Sequence, residues 1–434
     1  MKVVYFTAGA AGMYCGSCMR DNTLVAALRA RGRDAMLVPL YTPIRTDEDD
    51  VSEPRLFYGG INVYLQQKTA VFRHTPWLID KLLDSPALLR KVSGGADRSS
   101  PDDLASMTIS MLKGQYGAQR KELSKLVRWL AEVRPDIVNL PNAMFVGAAS
   151  AIKQALGVPV FCTLTGEDIF LDKLQEPYRG EVLTLIRERG RDVDGFIAVS
   201  RYYAAYSQKQ FAIPEERIHV ILLGIRIDGS AEPAEIPAEP FTIGYLARIC
   251  PEKGLHILCE ALKTLWGAGR RCRLRIAGYC GEADRPYLDE IRRHLANEKL
   301  DHVVDYVGEV DRAGKLSFLR SLHAFSVPTV YKEAKGLYVL EALANGIPVI
   351  QPRHGAFPEM VEATGGGLLF EPCDPEALAE SIAQLMDDPE LRRRLGCHGR
   401  SAVNEYYTDE VMADRTWALY TKEMEEAARR DASR

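Results

Sequence analysis

Residues 324–352 read AFSVPTVYKEAKGLYVLEALANGIPVIQP, and their texture decides the fold. Two short apolar runs, AFSVPT and IPVIQP, bracket a loop and a helical segment. That is the pattern of a βαβ unit, in which helices cover both faces of a parallel strand and leave it apolar on both sides. The spacing predicts a helix that begins near Leu337 and stops at Gly346, a C-cap ahead of Pro348. The N–H groups of its first turn would lack intrahelical partners and carry partial positive charge, which suits a diphosphate. Glu341, a turn further on, is then placed to accept hydrogen bonds from vicinal ribose hydroxyls. Glu333, on the preceding loop, is placed to grip the hydroxyls of a sugar. The bland alternative is two solvated carboxylates flanking a loop, the common case for a pair eight residues apart.

The same alternation extends outward. FTIGYLA, CRLRIAG, DHVVDYVG and GGGLLF complete a strand series in the second half, and KVVYF, DAMLVPL, DIVNL, VPVFCTL and GFIAVS form one in the first. Helical stretches separate them, for example Asn22 to Arg31 with Leu24, Ala27 and Leu28 on one stripe. Between the halves lies GSAEPAEIPAEP, residues 229–240, with three prolines and little bulk, a linker. The expected organisation is an N-terminal α/β domain over residues 1–228, a second α/β domain over 241–405, and a C-terminal helix over 406–434 that returns to the first domain. Two doubly wound domains joined in this way predict a cleft between them, with ligands at strand C-termini. Residues 69–130 exceed one helix and read as a helical insertion. Within them Leu78, Leu82 and Leu83 recur at helical spacing among Arg73, His74, Lys81, Arg90 and Lys91. Residues 71–93 form either a surface that meets a membrane or a lipid-linked acceptor, or helices packed on the domain with a solvated charged face, which is the expectation.

A second stretch, GYLARICPEKGLHIL at 244–258, follows a strand with Arg248, then Lys253, then a Gly-opened helix. Two cations at a strand-to-helix turn suit a departing nucleoside diphosphate, whose negative charge grows as the glycosidic bond breaks. Arg offers a planar fork to phosphate oxygens and Lys a point charge. Alone such a pair is often a surface salt bridge; with the 333–341 loop in the same half it gains a purpose.

Bulk properties restrict the alternatives. Of 434 residues 47% are hydrophobic and 26% charged, with a formal net charge of −4. Nothing in the whole-molecule charge favours nucleic acid as a partner. The opening MKVVYFTAGAAG reads as a first buried strand rather than a secretion signal, and no apolar run reaches the roughly 18 residues that cross a bilayer. The expectation is a cytoplasmic protein. Nine scattered cysteines do not make a secreted disulfide framework. A C-x-x-C spacing suits a redox pair or half a zinc site; Cys15-Gly16-Ser17-Cys18 lacks a second pair to complete the zinc site, and the expectation is two small residues packing where a strand turns into a helix. G-x-G-x-x-G and G-K-[ST] phosphate loops are absent.

On these motifs the chain resembles the retaining GT-B glycosyltransferases of glycosyltransferase family 4, in the R-x4-K element at Arg248 and Lys253 and the E-x7-E element at Glu333 and Glu341. A proline-acid loop from His354 to Ala379 adds to the likeness. The resemblance implies a GT-B fold of two Rossmann-like domains and hexosyl transfer from a nucleotide-diphosphate sugar with retention. The acceptor would be a glycan, a lipid-linked molecule or a small molecule. It further implies diphosphate contacts by Arg248, Lys253 and the amides of Gly336 and Leu337, the donor sugar on Glu333, and the ribose on Glu341. The base would lie against Val307 and Gly308, and a Gly-bearing first loop at Gly12 and Gly16 would complete the donor site. No metal and no other cofactor are implied, and no D-x-D is placed to hold a metal. Two departures stand out. Ala334 and Lys335 replace the family's usual Gly-Phe, and Lys335 would add a cation beside the sugar or phosphate. Thr165 occupies the place of a His near the reacting sugar, with Glu167 and Asp168 as substitutes on the acceptor side or as helix caps. The rivals are an epimerase or phosphorylase on the same fold, or a non-catalytic sugar-nucleotide-binding protein.

Overall fold

Strand Lys2–Thr7 (β1) carries Val3, Val4, Tyr5 and Phe6, all fully buried, as a parallel strand covered on both faces requires. It lies between Asp34–Pro39 (β2) and Ile137–Leu140 (β3), and the sheet continues through Val160–Leu164 (β4), Gly195–Ala198 (β5) and Ile218–Val220 (β6). All five pairings are parallel. The sixth strand escaped the sequence reading because its three residues IHV, partly to fully exposed at the sheet edge, show no continuous apolar run.

The computed structural model describes residues 1–9, 13–58, 67, 101–227 and 240–432. Gly12, the amphipathic stretch 71–93 and residues 228–239 of the linker lie outside them. So does much of the expected 69–130 insertion, whose described part includes helices Pro101–Leu112 and Arg120–Val133.

The second sheet has the order β12-β11-β10-β7-β8-β9. Its strands are Phe241–Leu246 (β7), Cys272–Ala277 (β8), Val304–Gly308 (β9), Ala324–Phe325 (β10), Val349–Pro352 (β11) and Gly367–Phe370 (β12). Again every pairing is parallel, with Phe241 opposite Cys272 and Leu246 opposite Ala277. The chain runs outward from β7 to β9, then returns to β10 on the opposite flank of β7. Such a reversal opens a crevice at the strand C-termini. In the first sheet the same reversal falls between β1 and β3.

The chain divides into Met1–Gly224 with Asp409–Arg434, and Ile225–Thr408. The final helix, Asp409–Ala432, thus belongs to the first unit. There Tyr420, fully buried, donates to Asn139 Oδ1 at 3.0 Å, and Arg31 and Arg33 hold Asp414 at 3.0 and 2.9 Å. The first helix spans Gly16–Ala30, six residues earlier than the stripe from Asn22 suggests. Its first half buries Cys18, Arg20 and Asp21, so polar as well as apolar side chains face inward and the stripe marks only the second half. Among the described residues no helix is long and apolar enough to cross a membrane.

Candidate functional site

The loop after β7 makes a short 3-10 turn, Pro251–Lys253, and then a helix, Leu255–Gly267. Gly254 joins them at φ +70°, and a Cβ there would run into the Pro328 carbonyl. Glycine alone permits both the left-handed backbone and the close approach. This brings the turn against the loop after β10, where Val330 N–H donates to the Glu252 carbonyl at 3.0 Å. The R-x4-K element and the Glu333 loop, distant in sequence, meet because β7 and β10 are neighbours in the sheet.

Their meeting point is an ion pair. Lys253 Nζ lies 2.6 Å from Glu333 Oε2 and 2.6 Å from the Tyr331 hydroxyl. Its ammonium also stands over the rings of Tyr331 and Tyr338, at 5.0 and 5.1 Å from their centroids. Glu333, only 3% exposed, accepts further from the hydroxyls of Tyr331 at 2.5 Å and Tyr338 at 3.1 Å, and from Lys335 N–H at 3.2 Å. Burial by itself pushes this carboxyl up. The Lys253 ammonium, the Lys335 charge and the hydrogen bonds outweigh burial and hold the pKa at about 2. Glu333 is therefore a fixed carboxylate, an acceptor of hydrogen bonds and no proton donor at neutral pH. Lys253 spends two of its three donors on Glu333 and Tyr331, which leaves a third for an anion.

The predicted helix is present as Leu337–Ala344, with Gly336 as its N-cap at φ +82° and no side chain capping it. The left-handed Gly336 aims the first-turn amides away from the loop just crossed. Glu341 lies one turn into this helix, and its carboxylate meets Lys315 Nζ at 2.5 Å, with both side chains largely buried. Lys315 comes from helix Arg312–Leu319. Arg248 is exposed on the loop after β7, and Lys335 is half-buried beside Glu333. Val307 is 38% exposed on the edge strand β9, and the Gly308 carbonyl accepts from Gly278 N–H at 2.8 Å. His354, at the start of the proline-acid loop, sits 2.9 Å from the Thr329 carbonyl, and burial pushes its pKa down, so it is neutral at pH 7. Among the described residues no cluster of three or more His, Cys, Asp or Glu is arranged for a metal.

The first unit holds Gly16 as the first residue of helix Gly16–Ala30, and Thr165, Glu167 and Asp168 just beyond β4. The Glu167 carboxylate accepts from the backbone N–H of Thr165, Gly166 and Ala143, each at 3.0 Å, and from the Tyr203 hydroxyl at 2.7 Å. Four donors tie it to the exits of β3 and β4, so its business is to hold that turn. Asp168, adjacent, has its pKa pushed up to about 6 by burial and then by the Glu167 charge. Sequence reading missed Tyr331, Tyr338 and Lys315. The tyrosines stand two before and five after Glu333, so the quoted stretch contained them. Lys315, 26 residues before Glu341, gave no local signal.

Comparison with known proteins bears on the family and the fold. Residues 228–402 match the model for glycosyl transferases group 1, and residues 106–228 match that for glycosyltransferase family 4. WcaL of Escherichia coli strain K12, which carries the name of a colanic acid biosynthesis glycosyltransferase, is 30% identical over 330 residues, 73% of this chain and 78% of the relative. The phosphatidyl-myo-inositol mannosyltransferase of Mycobacterium leprae is 27% identical over 291 residues, 65% of this chain and 72% of the relative. The crystal structure of Anabaena Alr3699/HepE in complex with UDP superposes with a TM-score of 0.68 at 16% identity, covering 97% of this chain and 100% of that one, which establishes a shared fold.

Proposed function

The chain belongs to the group 1 glycosyl transferases of glycosyltransferase family 4, and from that premise we propose that it moves a hexose from a nucleoside-diphosphate sugar to an acceptor hydroxyl with retention at the anomeric carbon. The observation that carries this reading is the Lys253–Glu333 pair at the strand reversal of the second sheet, beside the uncapped helix N-terminus at Gly336. Arg248, the third Lys253 donor and the amides of Gly336 and Leu337 receive the diphosphate. Their charge acts on the leaving group as the glycosidic bond breaks, where fixed dipoles and cations are most effective. Glu333, ionised and braced by two tyrosines, accepts from the hydroxyls of the sugar. Glu341, steadied by Lys315, accepts from the ribose, and the base lies against Val307 and Gly308. Thr165, Glu167 and Asp168, just beyond β4 in the first unit, are assigned to the acceptor. The UDP bound to the Anabaena protein supports a nucleoside diphosphate as the ligand class. The test is a thermal-shift panel of UDP, GDP, ADP and their sugars, followed by anomeric analysis of the product. Stabilisation by one nucleotide series and an α-linked product from an α-linked donor are expected; an inverted product overturns retention.

Cations supplied by the protein make a metal dispensable in this scheme. Turnover is expected to survive excess EDTA, and a strict Mg²⁺ or Mn²⁺ requirement would transfer the leaving-group role to an ion.

Lys335 selects the donor. It stands two residues from Glu333 and close enough to lower its pKa, while its backbone leads into Gly336. Lys335→Phe is expected to weaken donor binding and to change the preference among nucleotide sugars with the fold intact. Equal affinities and equal selectivity in the two proteins, measured by calorimetry and competition assays, would reduce Lys335 to a solvated side chain.

A further inference from the structure

The Cys15-Gly16-Ser17-Cys18 pair belongs to none of the groups assigned above. Cys15 is the N-cap of helix Gly16–Ala30, with extended backbone at φ −119° and ψ 120°, and Met19 N–H closes the first turn on its carbonyl at 2.9 Å. Cys18 lies one turn inside, and the two thiols hydrogen-bond to each other. Both are reduced, Cys15 half-buried and Cys18 fully buried. The outer sulfur thus stands at the N-terminus of a helix, while the inner one is sealed in the core. One turn further, Asp21 is 2% exposed and close enough to both sulfurs to act on them electrostatically. Two packed small residues need none of this: neither a thiol at the helix N-terminus, nor a thiol–thiol contact, nor a buried carboxyl behind them.

We propose that Cys15 and Cys18 form a reversible dithiol–disulfide couple that exchanges with low-molecular-weight disulfides. The Cys15 thiolate attacks the external disulfide, forming a mixed disulfide and releasing one thiolate. Cys18 then attacks the Cys15 sulfur, its proton passing to the sulfur released, so that the internal disulfide forms and the second half of the external disulfide leaves as a thiol. One external disulfide is reduced to two thiols and the protein dithiol is oxidised, so electrons balance. Cys18 itself is held in the thiol form, first by its hydrogen bond with Cys15 and then by burial, so it waits until Cys15 has reacted. Gly16 shares the turn, which places the couple on the loop assigned to the donor.

The experiment equilibrates the whole protein in glutathione redox buffers, quenches it in acid, alkylates it under denaturing conditions and maps the tryptic peptides by mass. Residues Val3 to Arg20 form one tryptic peptide that holds both sulfurs and no other cysteine. It is expected to pass from two alkyl groups to none, with the loss of two hydrogens and a two-electron dependence on the buffer, and to return on reduction. Cys18→Ser is expected to stop at glutathione on Cys15. The exposed Cys373 and Cys397 serve as internal references in every sample. The proposal is overturned if the peptide keeps two alkylatable thiols at a ratio that glutathionylates Cys373 and Cys397. It is equally overturned if glutathione stays on Cys15 in the unaltered protein, which would show that Cys18 cannot resolve it.

Discussion

Lys253→Ala is expected to lower turnover at saturating donor by at least tenfold, about 1.4 kcal/mol of barrier. The ammonium does two things that the methyl group of alanine cannot. It offers its third donor to the leaving diphosphate, and it neutralises a carboxylate that is 3% exposed. Without it Glu333 keeps, among the described residues, the tyrosine hydroxyls, the Lys335 amide and the Lys335 charge. A buried charge stripped of its main partner raises its pKa, and the bare carboxylate repels a diphosphate. Lys253→Arg separates the two functions. It retains the charge but replaces a compact head by a planar fork, so it should recover donor binding more than turnover. Steady-state kinetics with a melting curve for each variant checks both; unchanged turnover in Lys253→Ala at saturating donor ends the assignment.

Glu333→Gln is expected to cost ten- to hundredfold in kcat/KM, the worth of a charge-assisted hydrogen bond of about 1.5–3 kcal/mol. The amide fills the same space, but its NH2 group meets donors from Lys253, Tyr331 and Tyr338 where the carboxylate met them with acceptors. Stability should follow with a definite sign. The folded pKa of about 2 lies below the ordinary glutamate value of 4.5, so the native state binds this proton more weakly than the unfolded chain does. The stabilisation, about 3 kcal/mol at most on that shift, is fully present above the unfolded value and is lost as pH falls through the folded one. Denaturation midpoints of the two proteins should differ by a constant amount from pH 6 to 8 and converge towards pH 2. A gap that persists undiminished at the acid end would show that Glu333 acts through packing and not through its charge.

Family and fold were legible because their signals are local. The strand runs stand out by their β-branched content, and the helix at Leu337–Ala344 by glycine on either side of an apolar segment. Arg248 to Lys253 and Glu333 to Glu341 are spacings of a few residues, held within one loop or one helix. Glu167 shows the limit of such reading. Its position just beyond β4 suggested the acceptor, yet the fold surrounds it with three backbone N–H groups and a tyrosine, partners that only the packing of neighbouring strands supplies.

By itself, then, the sequence determined that two parallel α/β series exist, that a helix begins near Leu337, and which residue types crowd the loop from Thr329 to Leu337. Periodicity and turn chemistry are properties of a few consecutive residues and survive without the rest of the chain. Only the tertiary structure decided that β10 returns beside β7, and with it that Lys253 and Glu333, 80 residues apart, form one ion pair. It likewise decided that Lys315 closes on Glu341 and that Tyr420 and Asn139 are the contact by which the last helix, expected to return to the first domain, does so. The reason is strand order. A crossover connection can return a strand to either flank of the sheet at little difference in local energy, so side-chain partners across a reversal are set by the packing of the whole domain.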